Sequence, residues 1–310
     1  MMWMTPLPLE KSWKENHGLM ERACMSTAAL LASTQNQMLD TLLQHVITIF
    51  ELVFPRRIRA YYLTGSSMDG TAAYLSGDPL NSSDIDLTVV FRDVVQPDEQ
   101  ERFRQCRFAC AGLSQLHPDQ LDAMPLSETE LFQHGHLTLK VASQLFYGED
   151  IRDAIPLPSL NEHMRAAIRL SKDHMAEMRH LEPAQLTLPL TYPDSAGQFY
   201  GYDYSEPEYG GQPGTRMLVG SIAWGATALV ALHAGQFAGT KRDAINLYKT
   251  CINDRWSQLV EAVYAKCKLR WGYTIPRSKG ERQELRALCE QVIEFENHCL
   301  ASYLQDLPCT

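Results

Sequence analysis

The chain has 310 residues, of which 45% are hydrophobic and 21% are charged, and its formal net charge at pH 7 is −9. This length allows two domains of ordinary size, and the composition excludes a chain that is disordered throughout. The negative charge argues against a broad nucleic-acid-binding surface, whereas it suits a cationic partner or an anionic ligand that arrives with metal ions.

The first part of the chain is predicted to alternate between helices and strands. Apolar residues three to four apart predict a helix from Ser26 to Phe54, which Pro55 ends. The runs "IRAYYLTG" and "DIDLTVVF" predict two strands, and a helix is expected from Pro97 to Leu116. The run "DQLDAMPL" predicts a short third strand near a sheet edge, because Pro125 has no amide hydrogen to donate. This alternation is typical of an α/β or α+β domain, here ending at about Asp150.

The second part of the chain is predicted to be helical. "SLNE", from Ser159 to Glu162, is a capping box, in which each of these two side chains satisfies a backbone amide at a helix start. Further helices are expected from Thr215 to Gln236, from Thr240 to Arg270 and from Glu281 to Leu304. We therefore predict one domain over residues 1–150, with an N-terminal helix, and an all-helical domain over residues 151–310.

Residues 183–214 form a long irregular segment between the predicted helices. Six aromatic residues alternate with acidic ones in "TYPDSAGQFYGYDYSEPEY", which is too aromatic for a disordered linker. A loop of this length inside a compact protein is usually functional. Two interpretations remain open: a packed excursion across the helical domain, and a lid that faces the substrate.

Cysteine use and the apolar segments predict a cytoplasmic protein without a membrane partner. The eight cysteines form no CxxC pair, which is typical of reduced and mostly buried thiols. The N-terminal sequence "MMWMTPLPLEKSWKENHG" lacks the features of a secretion signal. The most apolar segment, "LVGSIAWGATALVALHAGQFA", is about as long as a short membrane span, but its small residues and histidine favour a buried core helix.

Two aspartates stand at the start of the second predicted strand, in "SDIDLTVV". Because side chains alternate along a strand, Asp84 and Asp86 point to one face, about 7 Å apart along the backbone, while Ile85 and Leu87 point to the core. Two carboxylates this close repel each other unless a cation lies between them. Such oxygen ligands suit Mg²⁺, which takes one or two protein carboxylates together with phosphate oxygens. The alternative is a polar sheet end with capping aspartates.

A glycine-serine turn, Gly65-Ser66 in "TGSS", follows the first predicted strand. Such a turn lets backbone amides and a hydroxyl approach a phosphate without an intervening side chain. Neither this pair nor "DID" is specific by itself, but together and in this order they predict a site for a metal ion and a polyphosphate. Ser66 has no G-x-S-x-G surroundings, and His134 and His136 of "HGH" have no third metal ligand nearby.

The pattern "GSSMDG…NSSDIDLTVVF" resembles the signature of the nucleotidyltransferase superfamily, in which a Gly-Ser pair precedes an Asp-x-Asp on the next strand. Its "DG" and "SDIDL" are more closely similar to the aminoglycoside O-adenylyltransferases of the streptomycin/spectinomycin type. The match covers about Tyr61 to Leu126, with weaker similarity through the helical part. The resemblance implies an α+β fold, with a polymerase-β-like mixed sheet domain followed by an all-helical C-terminal domain.

The resemblance also implies further site residues. The family carries a third carboxylate on a following strand, which helps to bind a second metal ion or takes the proton of the attacking hydroxyl. Here this residue is Asp122, with Asp119 as its neighbouring rival. "GQFAGTKRDAINLY" is similar to the family segment in which a lysine precedes an aspartate at a helix start, which is Lys241 here. The helix dipole disfavours cations such as Lys241 and Arg242 in a first helical turn, and a bound triphosphate would offset this effect. The alternative is that both are solvated surface cations. Arg216 is a second candidate for this role.

The activity implied by the resemblance is adenylyl transfer. ATP would bind with Mg²⁺ on Asp84 and Asp86, with Gly65-Ser66 at the outer phosphates, and a substrate hydroxyl would attack the α-phosphorus while pyrophosphate departs. The acidic aromatic segment and the net charge favour a small cationic acceptor such as an aminoglycoside. The alternatives are adenylylation of a protein hydroxyl and a nucleotide-binding sensor without turnover. The general base remains open among Asp122, Glu208 and Asp203.

Overall fold

The structure is a computed structural model that describes residues 29–34, 36–68, 70–72, 83–113, 121–204 and 213–306. Its sheet consists of four strands in the order β3-β2-β1-β4. The strands are β1 (Ile58–Leu63), β2 (Ile85–Phe91), β3 (Leu121–Ser127) and β4 (Gln144–Gly148). Strand β1 pairs antiparallel with β2 and β4, while β2 pairs parallel with β3, so the sheet is mixed.

The edge position of β3 agrees with the prediction made from its proline. Pro125 lies opposite Val89 in the β2–β3 register, and no further strand pairs with β3 among the described residues. An edge strand tolerates a residue without an amide hydrogen, because its outer side has no ladder to complete. The three strands predicted from apolar runs are therefore confirmed, and β4 is the strand that the sequence patterns did not predict.

Two helices cover one face of the sheet with an aromatic core. These are α1 (Gln37–Val53) and α3 (Pro97–Leu113), while α2 (Gly65–Met68) is a single turn after β1. Ring centroids lie 4.7 Å apart between Phe50 and Phe103 and 5.3 Å apart between Phe54 and Phe91, within the range of favourable aromatic contacts. The opposite face packs on the short helices α4 (Glu128–His134) and α5 (Leu137–Val141).

Helix α1 begins later than predicted. The sequence spacing predicted a start at Ser26, which lies outside the described residues, but residues 29–34 are not helical. The side chain of Asn36 accepts hydrogen bonds from the amides of Met38 and Leu39, and this N-cap fixes the first turn. The carboxylate of Asp40 holds the preceding chain in a non-helical path through the amide of Thr34, 2.8 Å away.

The helical part of the chain surrounds one central helix. Helix α6 (Leu160–Glu177) begins with the predicted capping box, and α7 (Arg216–Leu229) continues as a π-helical turn over Val230–Ala234. The long helix α10 (Lys279–Asp306) packs against α7. Of the described helices, Arg216–Ala234 is long and apolar enough to cross a membrane, but 78% of its most apolar window is buried inside the protein. This burial is expected of a core helix.

The helix predicted from Thr240 to Arg270 is two helices, so this prediction is wrong. The two are α8 (Lys241–Leu247, with a π-helical turn Tyr248–Ile252) and α9 (Ser257–Val263, with a π-helical segment Tyr264–Arg270). Between them Asn253 adopts a left-handed conformation with φ of 49°, which asparagine tolerates better than most residues. The carboxylate of Asp254 then accepts from the amide of Trp256, so the chain starts a new helix.

The described part of the long segment between α6 and α7 is packed against the helices. Phe199 and Tyr202 are buried in the helical core, and the Tyr202 hydroxyl donates to Glu296 Oε2 at 2.8 Å. The rings of Tyr192 and Tyr200 stack with centroids 4.3 Å apart. Of the two interpretations, the packed excursion describes these residues; residues 205–212, with Glu206, Glu208 and Tyr209, lie outside the described range.

The buried residues separate into cores that follow the chain order. One cluster contains residues between 167 and 303, and two clusters on the two faces of the sheet contain residues between 39 and 155. The α+β fold class, with a mixed sheet followed by helices, is therefore confirmed, while the division at residue 150 stays a prediction. The six described cysteines are free thiols, four of them buried.

Candidate active site

A cleft of about 800 Å³ lies between one end of the sheet and the helices α6, α7 and α8. Its sheet side is formed by the turn after β1 and by the start of β2. Its helical side carries three cations and three acids. The cations are Arg216, Lys241 and Lys268, and the acids are Glu162, Asp173 and Glu177.

The glycine turn and the acidic segment are hydrogen-bonded to each other. The amide of Thr64 donates to the Asp86 carbonyl at 2.9 Å, and the Ser67 hydroxyl donates to the Asp84 carbonyl at 3.3 Å. Gly65 has φ of 63°, in the left-handed region that glycine adopts without strain. A Cβ atom there would also collide with the carboxylate of Asp86, only 2.8 Å from its Cγ. The absence of a side chain at this position is therefore what lets the carboxylate lie against the turn.

The two predicted aspartates point into the cleft. Asp84 lies one residue before β2 and Asp86 is its second residue, while Ile85 and Leu87 are 4% and 1% exposed in the core. Burial, the charge of Asp84 and the charge of Asp122 together raise the pKa of Asp86 to about 7, against the lowering effects of Lys241 and Lys268. This carboxyl therefore holds its proton near neutral pH unless positive charge is added beside it.

Arg216 and Lys241 extend from the helices to these aspartates. The Arg216 guanidinium, in the first turn of α7, lies 3.4 Å from Asp84 Oδ1 and over the Tyr273 ring at 4.7 Å. Lys241 begins α8, and its ammonium lies 4.9 Å from the centre of the Trp224 ring. Burial lowers the pKa of Lys241, while Asp84 opposes this shift. Lys241 lines the cleft, whereas its neighbour Arg242 is exposed.

Asp122 lies beside the site, with its side chain turned outward. It is opposite Asp86 in the parallel β2–β3 register, but its side chain is 59% exposed and lies 3.8 Å from the Arg107 guanidinium. It does not line the cleft. Among the described residues no three His, Cys, Asp or Glu side chains come together as a metal-binding group. The structure thus brings together Gly65, Ser66, Asp84, Asp86, Arg216 and Lys241, and it leaves Asp122 one strand away.

Several cleft residues were missing from the sequence predictions. Lys268 lies in the π-helical segment after α9 and is 3% exposed, although nothing in its local sequence distinguishes it from a surface lysine. His163 and His174 line the cleft from α6, and His174 Nε2 donates to the Met217 carbonyl at 2.9 Å. His136 also lines the cleft, where its Nδ1 accepts from the Leu139 amide and caps α5. For α6, only the helical periodicity of its sequence could have indicated that His163, His174 and the acids lie on one polar face.

The residues present fit a divalent cation held by two carboxylates. Asp84 and Asp86 face the same cleft, and burial together with the charge of Asp84 raises the pKa of Asp86. A divalent cation opposes this shift and deprotonates the carboxyl. Because Mg²⁺ commonly takes its remaining ligands from phosphate and water, two protein carboxylates are sufficient for it.

The fold and the cleft define a class: an α+β protein with a mixed sheet, a helical second part, and an aspartate pair beside a glycine turn. No family model matches the sequence, and no curated protein matches it. Among solved structures, the chain is similar to a spectinomycin adenyltransferase AAD(9) from Enterococcus faecialis, crystallised with ATP and spectinomycin. The identity is 12% and the TM-score 0.48, over 83% of this chain and 98% of the other.

Proposed function

We propose that this chain is a Mg²⁺-dependent nucleotidyltransferase that transfers AMP from ATP to a hydroxyl group of a small cationic molecule and releases pyrophosphate. The observation that carries the proposal is the contact between Gly65 and Asp86: a left-handed glycine turn lies directly against a cleft carboxylate, with Arg216 and Lys241 opposite. Backbone amides for phosphate, acids for a cation and cations for phosphate oxygens are the parts that phosphoryl transfer requires.

Each residue has a defined task in this reaction. Asp84 and Asp86 would hold Mg²⁺, which supplies charge neutralisation at the attacking and departing oxygens. Gly65 leaves the approach to the turn open, and Ser66 offers a hydroxyl and an amide to the outer phosphates. Lys241 binds phosphate oxygens from the start of α8, and Arg216 exchanges its contact with Asp84 for one with phosphate.

The acidic helical wall of the cleft favours a cationic acceptor. Glu162, Asp173 and Glu177 all lie on α6 and line the cleft. Asp173 and Glu177 are four residues apart, so they project from one face of the helix. The described residues of the 183–204 segment do not line the cleft, so these α6 acids replace that segment as the basis for the acceptor class. An aminoglycoside, with several ammonium and hydroxyl groups, has the required chemistry.

The proton of the attacking hydroxyl needs an acceptor near the acids. Asp122 lies on the neighbouring strand opposite Asp86, but it does not line the cleft, so we propose that it takes this proton through a water molecule. Asp203, an earlier alternative, does not line the cleft. Glu208 lies outside the described residues.

The test is pyrophosphate release by the purified protein with ATP, Mg²⁺ and a panel of aminoglycosides, followed by mass analysis of the acceptor. We expect an acceptor mass gain of one AMP, abolished in Asp84→Asn and retained in Asp98→Asn, an exposed carboxylate at the start of α3. Asp173→Asn should raise the KM for the acceptor more than it lowers kcat. An AMP adduct on a protein instead would contradict the small-molecule acceptor, and binding of ATP without any product would contradict catalysis.

A further inference from the structure

Lys268 is a buried cation that lines the cleft. It is 3% exposed, and its ammonium lies 5.3 Å from the Tyr264 ring centre and 5.9 Å from that of Tyr273. Burying an ammonium group is costly, because it loses its hydration. Cation–π contacts with two rings offset part of this cost and fix the side chain in place.

The helix that carries Lys268 is also connected to the glycine turn. Tyr264 lies four residues earlier on the same π-helical segment, and its hydroxyl donates to Thr71 Oγ1 at 3.3 Å. The Thr71 amide donates in turn to the Ser66 carbonyl at 3.1 Å. Wide π-helical turns inside α-helices are frequent at functional sites. One face of this segment therefore holds the loop after the turn and directs a cation into the cleft.

The charge of this end of the cleft indicates the kind of ligand. Arg216, Lys241 and Lys268 line it together with Asp84 and Asp86, in a chain whose net charge is −9. With a divalent cation on the two aspartates, the positive excess is about three charges, which matches a polyphosphate far better than a monophosphate.

We infer that Lys268 is a polyphosphate-binding residue of this cleft. The inference rests on the proposed function, since it assigns a ligand group within the same site. In this arrangement Lys268 and Lys241 approach the phosphate chain from two different helices, and the tyrosine rings prevent Lys268 from turning away. The residue binds the outer phosphates and carries no proton in the transfer.

The test compares the binding of α,β-methylene-ATP with Mg²⁺ and of inorganic tripolyphosphate by titration calorimetry. Lys268→Met is expected to weaken both by about 10- to 100-fold, the range for loss of a charge-assisted hydrogen bond. Lys268→Arg, which keeps the charge, should lose less than Lys268→Met. The matched control is Lys266→Met, two residues away, where the lysine pairs with Glu284 outside the cleft; it should bind within about twofold of wild type.

The outcomes separate the inference from the function on which it rests. If the wild type binds the analogue and Lys268→Met binds it equally well, the inference is wrong while the proposed function stands. If the wild type binds neither probe, both fail. If Lys268→Met does not fold, Lys268→Gln replaces it, since glutamine keeps a polar group in the same space. The assignment is supported if the Lys268 variant unfolds at a temperature near that of wild type but binds the two probes more weakly. Equally weakened binding by Lys266→Met would overturn it.

Discussion

At the scale of single residues, Gly65 occupies a position in the cleft where only glycine fits. Its left-handed φ of 63° and the carboxylate of Asp86 directly beside it are two independent reasons why no side chain fits there. The turn was recognisable in the sequence as "TGSS" before a "DID", because glycine is the residue that such a conformation demands. The contact between the two motifs could not be derived from the sequence, because it depends on how β1 and β2 pair.

Replacing Gly65 with alanine should weaken nucleotide binding without unfolding the protein. The new methyl group must displace Asp86, and the left-handed backbone adds about 1 kcal/mol of strain. We expect the affinity for α,β-methylene-ATP with Mg²⁺ to fall by more than about tenfold, measured by calorimetry. Gly112→Ala is the control, since nothing lies within 4 Å of a Cβ at that position of α3. Equal affinity of Gly65→Ala and wild type would contradict the assigned role.

The raised pKa of Asp86 predicts a specific dependence of stability on pH. The folded state keeps a proton up to about pH 7, whereas the ordinary value of an aspartate is 3.8. The folded state therefore binds more protons than the unfolded state within this window, and the free energy of unfolding falls as the pH rises through it. Asp86→Asn has no carboxyl that titrates at this position. Between pH 4 and 7 the free energy of unfolding of the wild type should therefore fall by about 1–3 kcal/mol relative to that of this variant.

This prediction is checked by denaturant unfolding at several pH values, with metal ions removed. Asp98→Asn, at an exposed carboxylate outside the cleft, provides the comparison. A wild-type minus Asp86→Asn difference that does not change between pH 4 and 8 would show that Asp86 titrates normally.

At the scale of elements, a buried ion pair connects three parts of the helical half. Arg179, just after α6, lies 2.6 Å from Glu296 Oε2 on α10, and both side chains are almost completely buried. Tyr202, from the segment between α6 and α7, donates to the same oxygen. The Arg179 Nε also donates to the Thr191 carbonyl at 2.8 Å. This network explains why a long irregular segment is held against the helices.

Glu296→Gln should destabilise the protein strongly. It leaves the Arg179 charge buried without its counter-ion, which typically costs about 3–5 kcal/mol. Glu261→Gln is the matched control, because Glu261 pairs with Lys249 and both side chains are about half exposed, so we expect a change within about 0.5 kcal/mol. The measurement is chemical denaturation at neutral pH. Similar losses in the two variants would mean that the buried pair does not hold this segment.

The elements show where sequence patterns succeed and where they fail. Strands β1, β2 and β3 were predictable because each is a short apolar run bounded by turn residues, and Pro125 even indicated an edge. The capping box at Ser159 marked the start of α6 for the same local reason. The break at Asn253 was not predictable, since a helical pattern of apolar residues continues across it. There the left-handed residue and the Asp254 cap override the periodicity.

At the scale of the whole molecule, the candidate site is assembled from parts far apart in sequence. The motifs on β1 and β2 were visible in the sequence because a Gly-Ser turn after one strand and two aspartates at the start of the next occur together and in this order. Lys241 was found through the resemblance and Arg216 from its position at a helix start, while Lys268 and the acids of α6 were not found at all. These side chains line the cleft only because the helices pack over the end of the sheet. A single lysine or glutamate in a helical sequence does not indicate that it will lie there.

The central claim is that the cleft seats a metal-bound triphosphate between Asp84, Asp86 and the glycine turn. The most direct test is a crystal structure of the wild-type protein with α,β-methylene-ATP and Mg²⁺. The account predicts a metal ion ligated by both aspartates, phosphate oxygens on the Gly65-Ser66 turn, and Arg216 moved from Asp84 to phosphate. A nucleotide bound elsewhere, or a metal ion that neither aspartate contacts, would contradict it.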